Sequence, residues 1–175
     1  MKYRPLLIAL VLLCAVGCGS KPTMTIRGTA PAECEGLNVY LVPQPFPKAE
    51  EVDSTVVRDG KFEFQVDASQ VRICDITISS KSPVPFQRLL VAIEPGELEV
   101  EIDEYSDGRG TPLNDDLAAW KRAMSEAGTR ADEIRREIST LDDPAKIDSL
   151  RRLQAQGYAD AELITIDIIN RNINP

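Results

Sequence analysis

The sequence predicts an α+β protein, an antiparallel β-sandwich of about seven strands followed by a long antiparallel helical hairpin. Two observations carry this prediction. Between residues 24 and 103, short segments alternate apolar and polar residues and are separated by glycine and proline turns, which is typical of half-buried strands. From residue 113 onward, apolar residues recur at steps of three and four, which is typical of paired helices.

The clearest strand pair lies at residues 52 to 67. Arg58-Asp59-Gly60 contains a residue pair that tolerates positive φ, which favours a tight turn. After this turn, Phe62, Phe64 and Val66 alternate with polar residues, so the second arm has one apolar and one polar face. The segment is therefore predicted to be a β-hairpin that supplies part of one layer of the sandwich.

The same alternation predicts the other strands at residues 24–28, 37–41, 71–79, 86–93 and 97–103. The segment 86–93 is apolar on both sides, which indicates that it needs cover above and below. Pro43, Pro45 and Pro47 end the second strand, because proline has no N–H for the strand ladder.

The first residues have the composition of an export signal. Lys2 and Arg4 precede an apolar run from Leu6 to Val16, which is shorter than the about 20 residues needed to span a bilayer. The run ends in Ala15-Val16-Gly17-Cys18, which resembles a bacterial lipobox, so we expect cleavage before Cys18 and acylation of Cys18. The alternatives are an ordinary secretory peptide cut elsewhere and an uncleaved membrane stub.

The predicted organisation is a signal peptide at residues 1–17, a lipidated tether at 18–23, the β-sandwich domain at 24–106 and the helical hairpin at 107–175. An acyl chain on Cys18 would hold the protein at a membrane surface. Gly19 and Ser20 follow the cysteine with no aspartate beside it. By resemblance to Gram-negative lipoproteins, this indicates a lipid-anchored protein of the cell envelope, at the outer membrane and facing the periplasm.

Charge and composition exclude several classes of function. Removing residues 1–17 takes Lys2 and Arg4 from a chain of formal net charge −8, which leaves −10. Such a surface repels nucleic acid, so no nucleic-acid partner is expected. The sequence has no histidine, which is the commonest general base and metal ligand. No catalytic or cofactor-binding residue is assigned.

Two cysteines, Cys34 and Cys74, remain after the expected cleavage. An even number of cysteines in an oxidising compartment favours a structural disulfide between them. Such a bridge requires the two Cα atoms to lie within about 7 Å of each other. Their wide separation in sequence rules out a C-x-x-C redox pair.

The sequence changes character at Asp107-Gly108-Arg109-Gly110, which we interpret as a linker turn because it lacks the lysine and spacing of a phosphate-binding P-loop. Asn114 is predicted to cap the first helix. A heptad seam follows, and Asp142-Asp143-Pro144 ends it and begins the second helix. The seam residues are Leu113, Leu117, Trp120, Met124, Ala127, Ala131, Ile134, Ile138 and Leu141.

The second helix has its own apolar stripe, and the two stripes mirror each other about the turn. This symmetry predicts that the helices pair with each other, with Ala127 near Gly157 and Met124 near Ala161 at their closest approach. Trp120 and Met124 are therefore expected to be core residues. The alternative is a helix-driven assembly in which the seam from Leu113 to Leu141 pairs between chains.

The densest set of carboxylates is the outward row of the last strand, formed by Glu97, Glu99, Glu101 and Asp103. Alternate residues of a strand project in parallel about 7 Å apart, so these side chains do not converge on one ion. No metal site is predicted. The serines have no G-x-S-x-G elbow and no histidine to activate them, which disfavours serine hydrolase chemistry.

Several motifs occur in a fixed order along the chain. A lipobox cysteine is followed by Leu37-Asn38-Val39-Tyr40-Leu41, the 52–64 hairpin, Glu94-Pro95-Gly96-Glu97 and Gly110-Thr111-Pro112-Leu113-Asn114. In this order they resemble the domain of unknown function that precedes the thioredoxin-like domain in many Gram-negative envelope lipoproteins. The resemblance extends from about residue 24 to the end of the sequence.

The resemblance implies a β-sandwich accessory module, which longer members continue with a thiol-disulfide oxidoreductase that carries C-x-x-C. This sequence contains no C-x-x-C, so no redox residue can be carried over. We therefore expect a non-catalytic envelope lipoprotein that binds a protein partner or positions something at the membrane. The alternative is the accessory half of a thioredoxin-like oxidoreductase whose catalytic domain is missing from this chain.

Overall fold

The chain folds as two β-sheets followed by two long α-helices. The structure, a computed structural model, describes residues 21 to 173. The expected signal peptide (residues 1–17) and the expected lipidation of Cys18 lie outside the described residues. The α+β class is confirmed, and the described residues form eight strands where about seven were predicted.

The strands are β1 Thr23–Thr29, β2 Asn38–Pro43, β3 Asp53–Val56, β4 Lys61–Asp67, β5 Arg72–Ile78, β6 Leu89–Ile93, β7 Gly96–Glu101 and β8 Asp107–Arg109. The helices are α1 Pro112–Ile138 and α2 Pro144–Ile173. Single 3-10 turns lie at Ala32–Cys34 and Ala49–Glu51. No helix within residues 21–173 combines the length and apolar character needed to cross a bilayer.

The additional strand is β8, at the segment interpreted from sequence as a linker turn. Gly108 of β8 lies opposite Val100 of β7. A Cβ atom at Gly108 would lie 3.1 Å from the side chain of Leu89, so the tight packing favours a glycine. Because its inward-facing residue has no side chain, this strand lacks the apolar alternation that reveals the others.

The two sheets have the strand orders β4-β1-β7-β8 and β3-β2-β5-β6. All neighbouring strands are antiparallel except β1 and β7, which run parallel with Met24 opposite Gly96. The chain enters β7 from β6, which belongs to the other sheet, after only two intervening residues. The sandwich is therefore mostly antiparallel with one parallel pair, which alternation within single strands does not indicate.

The core lies between the inner faces of the two sheets, and the 52–67 hairpin contributes to it as predicted. Phe62, Phe64 and Val66 are buried, and the residues between them are exposed. Asp59 and Gly60 have φ values of 53° and 69°, as the predicted turn requires. The ring of Phe62 covers Gly28 of β1 so closely that a Cβ atom there would lie 1.9 Å from a ring atom.

The helices α1 and α2 form the predicted antiparallel hairpin within one chain. At its base, the carboxylate of Asp116 accepts a hydrogen bond from Asn172 (2.8 Å) and pairs with Arg171 (3.2 Å). Farther along, Ala131 and Ala161 are buried between the helices. The part of the seam around Ala131 is thus paired within the chain.

The end of the sandwich where the chain leads back toward Cys18, which we call the tether end, comprises Thr23, Asp67 and Arg72. Thr23 lies opposite Asp67, and the Arg72 guanidinium donates to the carbonyl of Asp67 (2.8 Å). The helix α1 starts near this end and reaches the opposite end at Lys121, which contacts the loop between β7 and β8. Its remaining residues continue for roughly 25 Å at about 1.5 Å per residue, so the tip of the hairpin points away from the tether end.

Candidate functional site

A groove of about 760 Å³ lies between β6, the loop between β7 and β8, and α1. Four exposed side chains with large apolar parts form a strip along it: Leu90, Tyr105, Trp120 and Met124. Trp120 and Met124 were predicted to be core residues, but the structure leaves both accessible because the sandwich and α2 do not close over this part of α1. The groove thus presents an apolar strip to solvent.

One wall of the groove is β6, an edge strand, and α1 satisfies part of that edge with a side chain. The N–H of Ala92 donates to Asn114 Oδ1 (3.0 Å), and Asn114 Nδ2 donates to the carbonyl of Ala92 (2.8 Å). The amide of Asn114 thus occupies the place that a neighbouring strand would take. Asn114 is buried, and its Nδ2 also donates to Thr111 Oγ1 (2.8 Å).

This role corrects the prediction that Asn114 caps α1. The helix begins at Pro112, and Thr111 is the N-cap residue. Proline is favoured at the first helical position because it needs no N–H partner there. The capping rule reads local sequence only, whereas the contact of Asn114 with Ala92 is made between distant parts of the chain.

The neighbouring section of the β6 edge, at Leu90, faces the groove. Residues two apart in an antiparallel strand direct their N–H and C=O groups to the same side. Since the groups of Ala92 point away from β5 toward Asn114, those of Leu90 point away from β5 as well. In the described part of the chain, no side chain forms hydrogen bonds with the N–H and C=O of Leu90 as Asn114 does with those of Ala92. A stretch of strand edge is therefore open beside the apolar strip.

The loop that forms the opposite wall is fixed to the segment just before β6 and to α1. The Ser106 hydroxyl lies 2.6 Å from the carbonyl of Gln87, to which it donates, and it accepts the N–H of Asp103 (3.2 Å). The ammonium group of Lys121 donates to the carbonyls of Tyr105 and Ser106. Burial lowers the pKa of Lys121, and the charges of Asp107 and Asp103 oppose this shift. The wall is thus held in place before any ligand arrives.

A wider depression of about 1150 Å³ lies along one rim of the sandwich and is lined by many charged side chains. It is lined by basic side chains, among them Arg27, Arg58 and Arg109, and also by carboxylates. Arg109 pairs with Asp107 (3.1 Å), and Arg27 pairs with Glu63 (3.5 Å). Because both signs of charge alternate across it, the depression has no net preference for an anion or a cation.

The predicted Cys34–Cys74 disulfide is not formed, and both thiols are free and buried. Cys34 Sγ lies 3.6 Å from Ser82 Oγ, beside the start of β2, whereas Cys74 lies opposite Pro43 at the end of β2. From Asn38 to Pro43 the strand extends for roughly 17 Å at about 3.3 Å per residue. That separation exceeds the about 7 Å that a bridge allows between Cα atoms. Burial also raises the pKa of the Cys74 thiol, which disfavours the reactive thiolate.

The carboxylates of the outward row do not gather at one point. Glu97 accepts a hydrogen bond from Arg27 (2.8 Å), and this bond and the positive charge of Arg27 lower the pKa of Glu97. Asp103 lies beyond β7 and accepts the N–H groups of Tyr105 (2.7 Å) and Ser106 (2.6 Å) within its own loop. Within residues 21–173, no group of three or more potential ligands is placed to hold a metal ion.

Comparison with known proteins places this architecture in a family. Residues 24–117 match the family described as Domain of unknown function (DUF4369), which is more than half of the chain. The chain belongs to this family. The DUF4369 region contains both sheets, the loop between β7 and β8, and Asn114, whereas Trp120, Lys121 and Met124 lie beyond it. No curated protein matches the chain.

The sequence analysis did not predict the groove, although one feature of the sequence indicated an apolar strand that needed cover. The segment 86–93 was predicted to need cover on both sides. In the structure, Leu89, Val91 and Ile93 face the core and α1 covers Ala92, but Leu90 remains partly exposed. The missing cover at Leu90 marks the place where the chain leaves an apolar strand edge accessible.

Proposed function

We propose that the protein is a non-catalytic lipoprotein of the cell envelope that binds an extended segment of a partner protein, adding it as a strand to β6. The observation that carries this proposal is the open edge of β6 at Leu90 beside an apolar strip. In strand addition, main-chain hydrogen bonds supply affinity and pockets for alternate side chains supply specificity. A segment with apolar residues at alternate positions fits this groove, because Tyr105, Trp120 and Met124 line it.

The substitution Leu90→Pro tests strand addition directly. Proline has no N–H, and it is tolerated in an edge strand where the N–H points out of the sheet. The probe is a fluorescein-labelled peptide selected from a display library of random sequences, with its affinity measured by fluorescence anisotropy. We expect Leu90→Pro to weaken binding by at least about tenfold, because the bound segment loses a main-chain hydrogen bond and its register.

The matched control is Leu90→Thr, which keeps the N–H and favours a strand. We expect this variant to bind the same peptide within about threefold of the unaltered protein, since only side-chain contact is reduced. Thermal unfolding followed by circular dichroism shows whether both variants are folded. Equal binding by folded Leu90→Pro and the unaltered protein would show that the peptide does not pair with β6.

The proposed anchor is the acylated Cys18, which holds the sandwich at the outer membrane on its periplasmic side. The lipobox-like Ala15-Val16-Gly17-Cys18 and the short tether that follows it support this location. We expect the mass of the membrane-extracted protein to show cleavage before Cys18 and the addition of acyl chains. Changing Cys18→Ser should move the protein to the soluble periplasmic fraction. An unacylated product in the cytosol would contradict the anchor.

A second candidate function is that of an accessory module of a thioredoxin-like oxidoreductase. It is favoured by a stripe of exposed apolar residues on α2, formed by Leu163, Ile166 and Ile169, which an adjoining domain would cover. The discriminating observation is the coding sequence beyond Pro175, where an in-frame C-x-x-C would support this candidate. The purified mature chain is expected not to turn over disulfide substrates, and measurable turnover would contradict the non-catalytic proposal.

A further inference from the structure

The loop between β2 and β3 exposes a phenylalanine side chain that is not packed into the protein core. The side chain of Phe46 is 92% exposed, and its φ is 59°, in the left-handed region that favours glycine or asparagine. Pro45 and Pro47 flank it and limit the freedom of the loop. Phe46 therefore gains no core burial and has an unfavourable backbone conformation, and such residues concentrate at functional sites.

Phe46 lies at the tether end of the sandwich. The N–H of Gln44 donates to the carbonyl of Ile73 (2.9 Å), so the pairing of β2 with β5 continues to the base of the loop. Val71, whose side chain is 63% exposed, immediately precedes Arg72 at the start of β5 and so lies at the same end. Pro22, from which the chain leads back to Cys18, accepts the N–H of Ala68 (2.9 Å) at this end.

The tether keeps this end of the sandwich close to the attachment point of the lipid. Lys21 is the third residue after Cys18, so the two are at most about 11 Å apart at roughly 3.6 Å per residue. The exposed ends of Phe46 and Val71 are therefore within reach of the surface that holds the acyl chains. Glu50, Glu51 and Asp53 also lie near this end, so attraction to anionic headgroups does not drive the contact.

We infer that Phe46, assisted by Val71, inserts into the interfacial layer of the bilayer that anchors the protein. This inference rests on the proposed acylation of Cys18. Moving an apolar ring from water to the boundary between headgroups and acyl chains lowers its free energy. A second attachment point beside the lipid also restricts tumbling of the domain. The tether end then faces the membrane, and the hairpin tip points away from it.

The test uses the full-length acylated protein, reconstituted in phosphatidylcholine vesicles that contain lipid brominated near the top of the acyl chain. Trp120 is the only tryptophan, so Trp120→Phe gives a background without tryptophan fluorescence. In this background, Phe46→Trp reports on the tether end. Tyr105→Trp, at a position 71% exposed on the opposite end of the sandwich, is the matched control.

We expect the tryptophan fluorescence of the Phe46→Trp variant to be quenched at least about twofold more than that of the Tyr105→Trp variant, because bromine quenches only at short range within the interface. Equal quenching in the two variants would overturn the inference. A blue-shifted emission of the Phe46→Trp variant that is the same without lipid would also overturn it, because it would indicate that a protein surface covers the loop.

Mass spectrometry of the same sample separates failure of the inference from failure of the proposed anchor. An acylated Phe46→Trp variant whose fluorescence is unquenched contradicts the membrane contact alone, whereas a protein without acyl chains contradicts both. A further variant, Phe46→Asn combined with Val71→Trp, is expected to keep its unfolding temperature because asparagine tolerates positive φ. It should lose at least about half of the quenching that Val71→Trp shows with Phe46 present, since the ring no longer holds this end in the interface.

Discussion

At the scale of single residues, the side chain of Asn114 connects the sandwich to the hairpin. It replaces a missing strand on β6 with one amide group, which accepts from the N–H of Ala92 and donates to its carbonyl. A buried polar pair of this kind contributes modestly when complete and costs much more when one partner is removed. The contact fixes the position of α1, which forms one wall of the groove.

We predict that Asn114→Ala lowers the free energy of unfolding by about 2–3 kcal/mol, because it leaves the buried N–H and C=O of Ala92 without partners. Urea denaturation followed by circular dichroism measures the change. The control is Asn170→Ala on the exposed face of α2, which should stay within about 0.5 kcal/mol of the unaltered protein. A loss below that limit for Asn114→Ala would show that water can replace the amide.

At the scale of elements, local patterns predicted those parts of the fold that depend on neighbours in sequence. The 52–67 hairpin was predictable because its turn residues and its alternation lie within one short segment. The start of α2 was predictable for the same reason, since the carboxylate of Asp143 accepts the N–H of Ala145 (3.0 Å) just after Pro144. Such signals need no information about the rest of the chain.

The elements that sequence reasoning missed depend on contacts between distant segments. β8 is a strand only because β7 offers it an edge, and the parallel pairing of β1 with β7 arises from the crossing of the chain between sheets. Cys34 and Cys74 satisfied the counting rule for a disulfide but lie at opposite ends of β2. The open edge at Leu90 is likewise visible only after α1 has been placed.

The packing of the hairpin also differs from its sequence prediction at Gly157. The mirrored stripes suggested that the helices approach most closely there. Such a close approach would require a residue as small as glycine at this position. A Cβ atom built on Gly157 meets nothing within 4 Å, so the structure leaves room for a side chain. The glycine therefore weakens α2 without a compensating close contact.

We predict that Gly157→Ala raises the free energy of unfolding by about 0.5–1 kcal/mol, because alanine restricts the unfolded chain and favours the helix. The midpoint of urea denaturation measures this gain. The reverse change at an exposed neighbour, Ala155→Gly, should lower stability by a similar amount. Destabilisation by Gly157→Ala would mean that the helices do approach closely at this position.

At the scale of the whole molecule, the tether, the groove and the hairpin tip follow one another along one axis. The tether end carries Phe46 and the expected lipid attachment, and the groove runs along α1 toward the opposite end of the sandwich. Beyond it, α1 and α2 extend past the sheets. A partner segment bound to β6 would therefore be held at a distance from the membrane set by the size of the sandwich.

The arrangement of the hairpin also predicts the oligomeric state. Ala131, Ile134 and Ala161 are buried by the pairing of α1 with α2 in the same chain, so this part of the heptad seam has no free face to offer a second copy. We predict that the mature chain carrying Cys18→Ser, which cannot be acylated, sediments as a monomer at micromolar concentration. Sedimentation velocity measures its mass directly.

Two variants identify the contact if the chain instead forms a dimer. Ala161→Glu places a charge in the buried contact between α1 and α2. In a monomer it should separate the two helices and reduce helicity without changing the sedimenting mass. Leu163→Glu alters the stripe on α2, where the side chain is 63% exposed, and should leave helicity unchanged. A dimer that Ala161→Glu converts to a folded monomer would mean that the seam pairs between chains. A dimer that only Leu163→Glu dissociates would mean that the stripe on α2 is the association surface, because a charge there repels its copy across a symmetric interface.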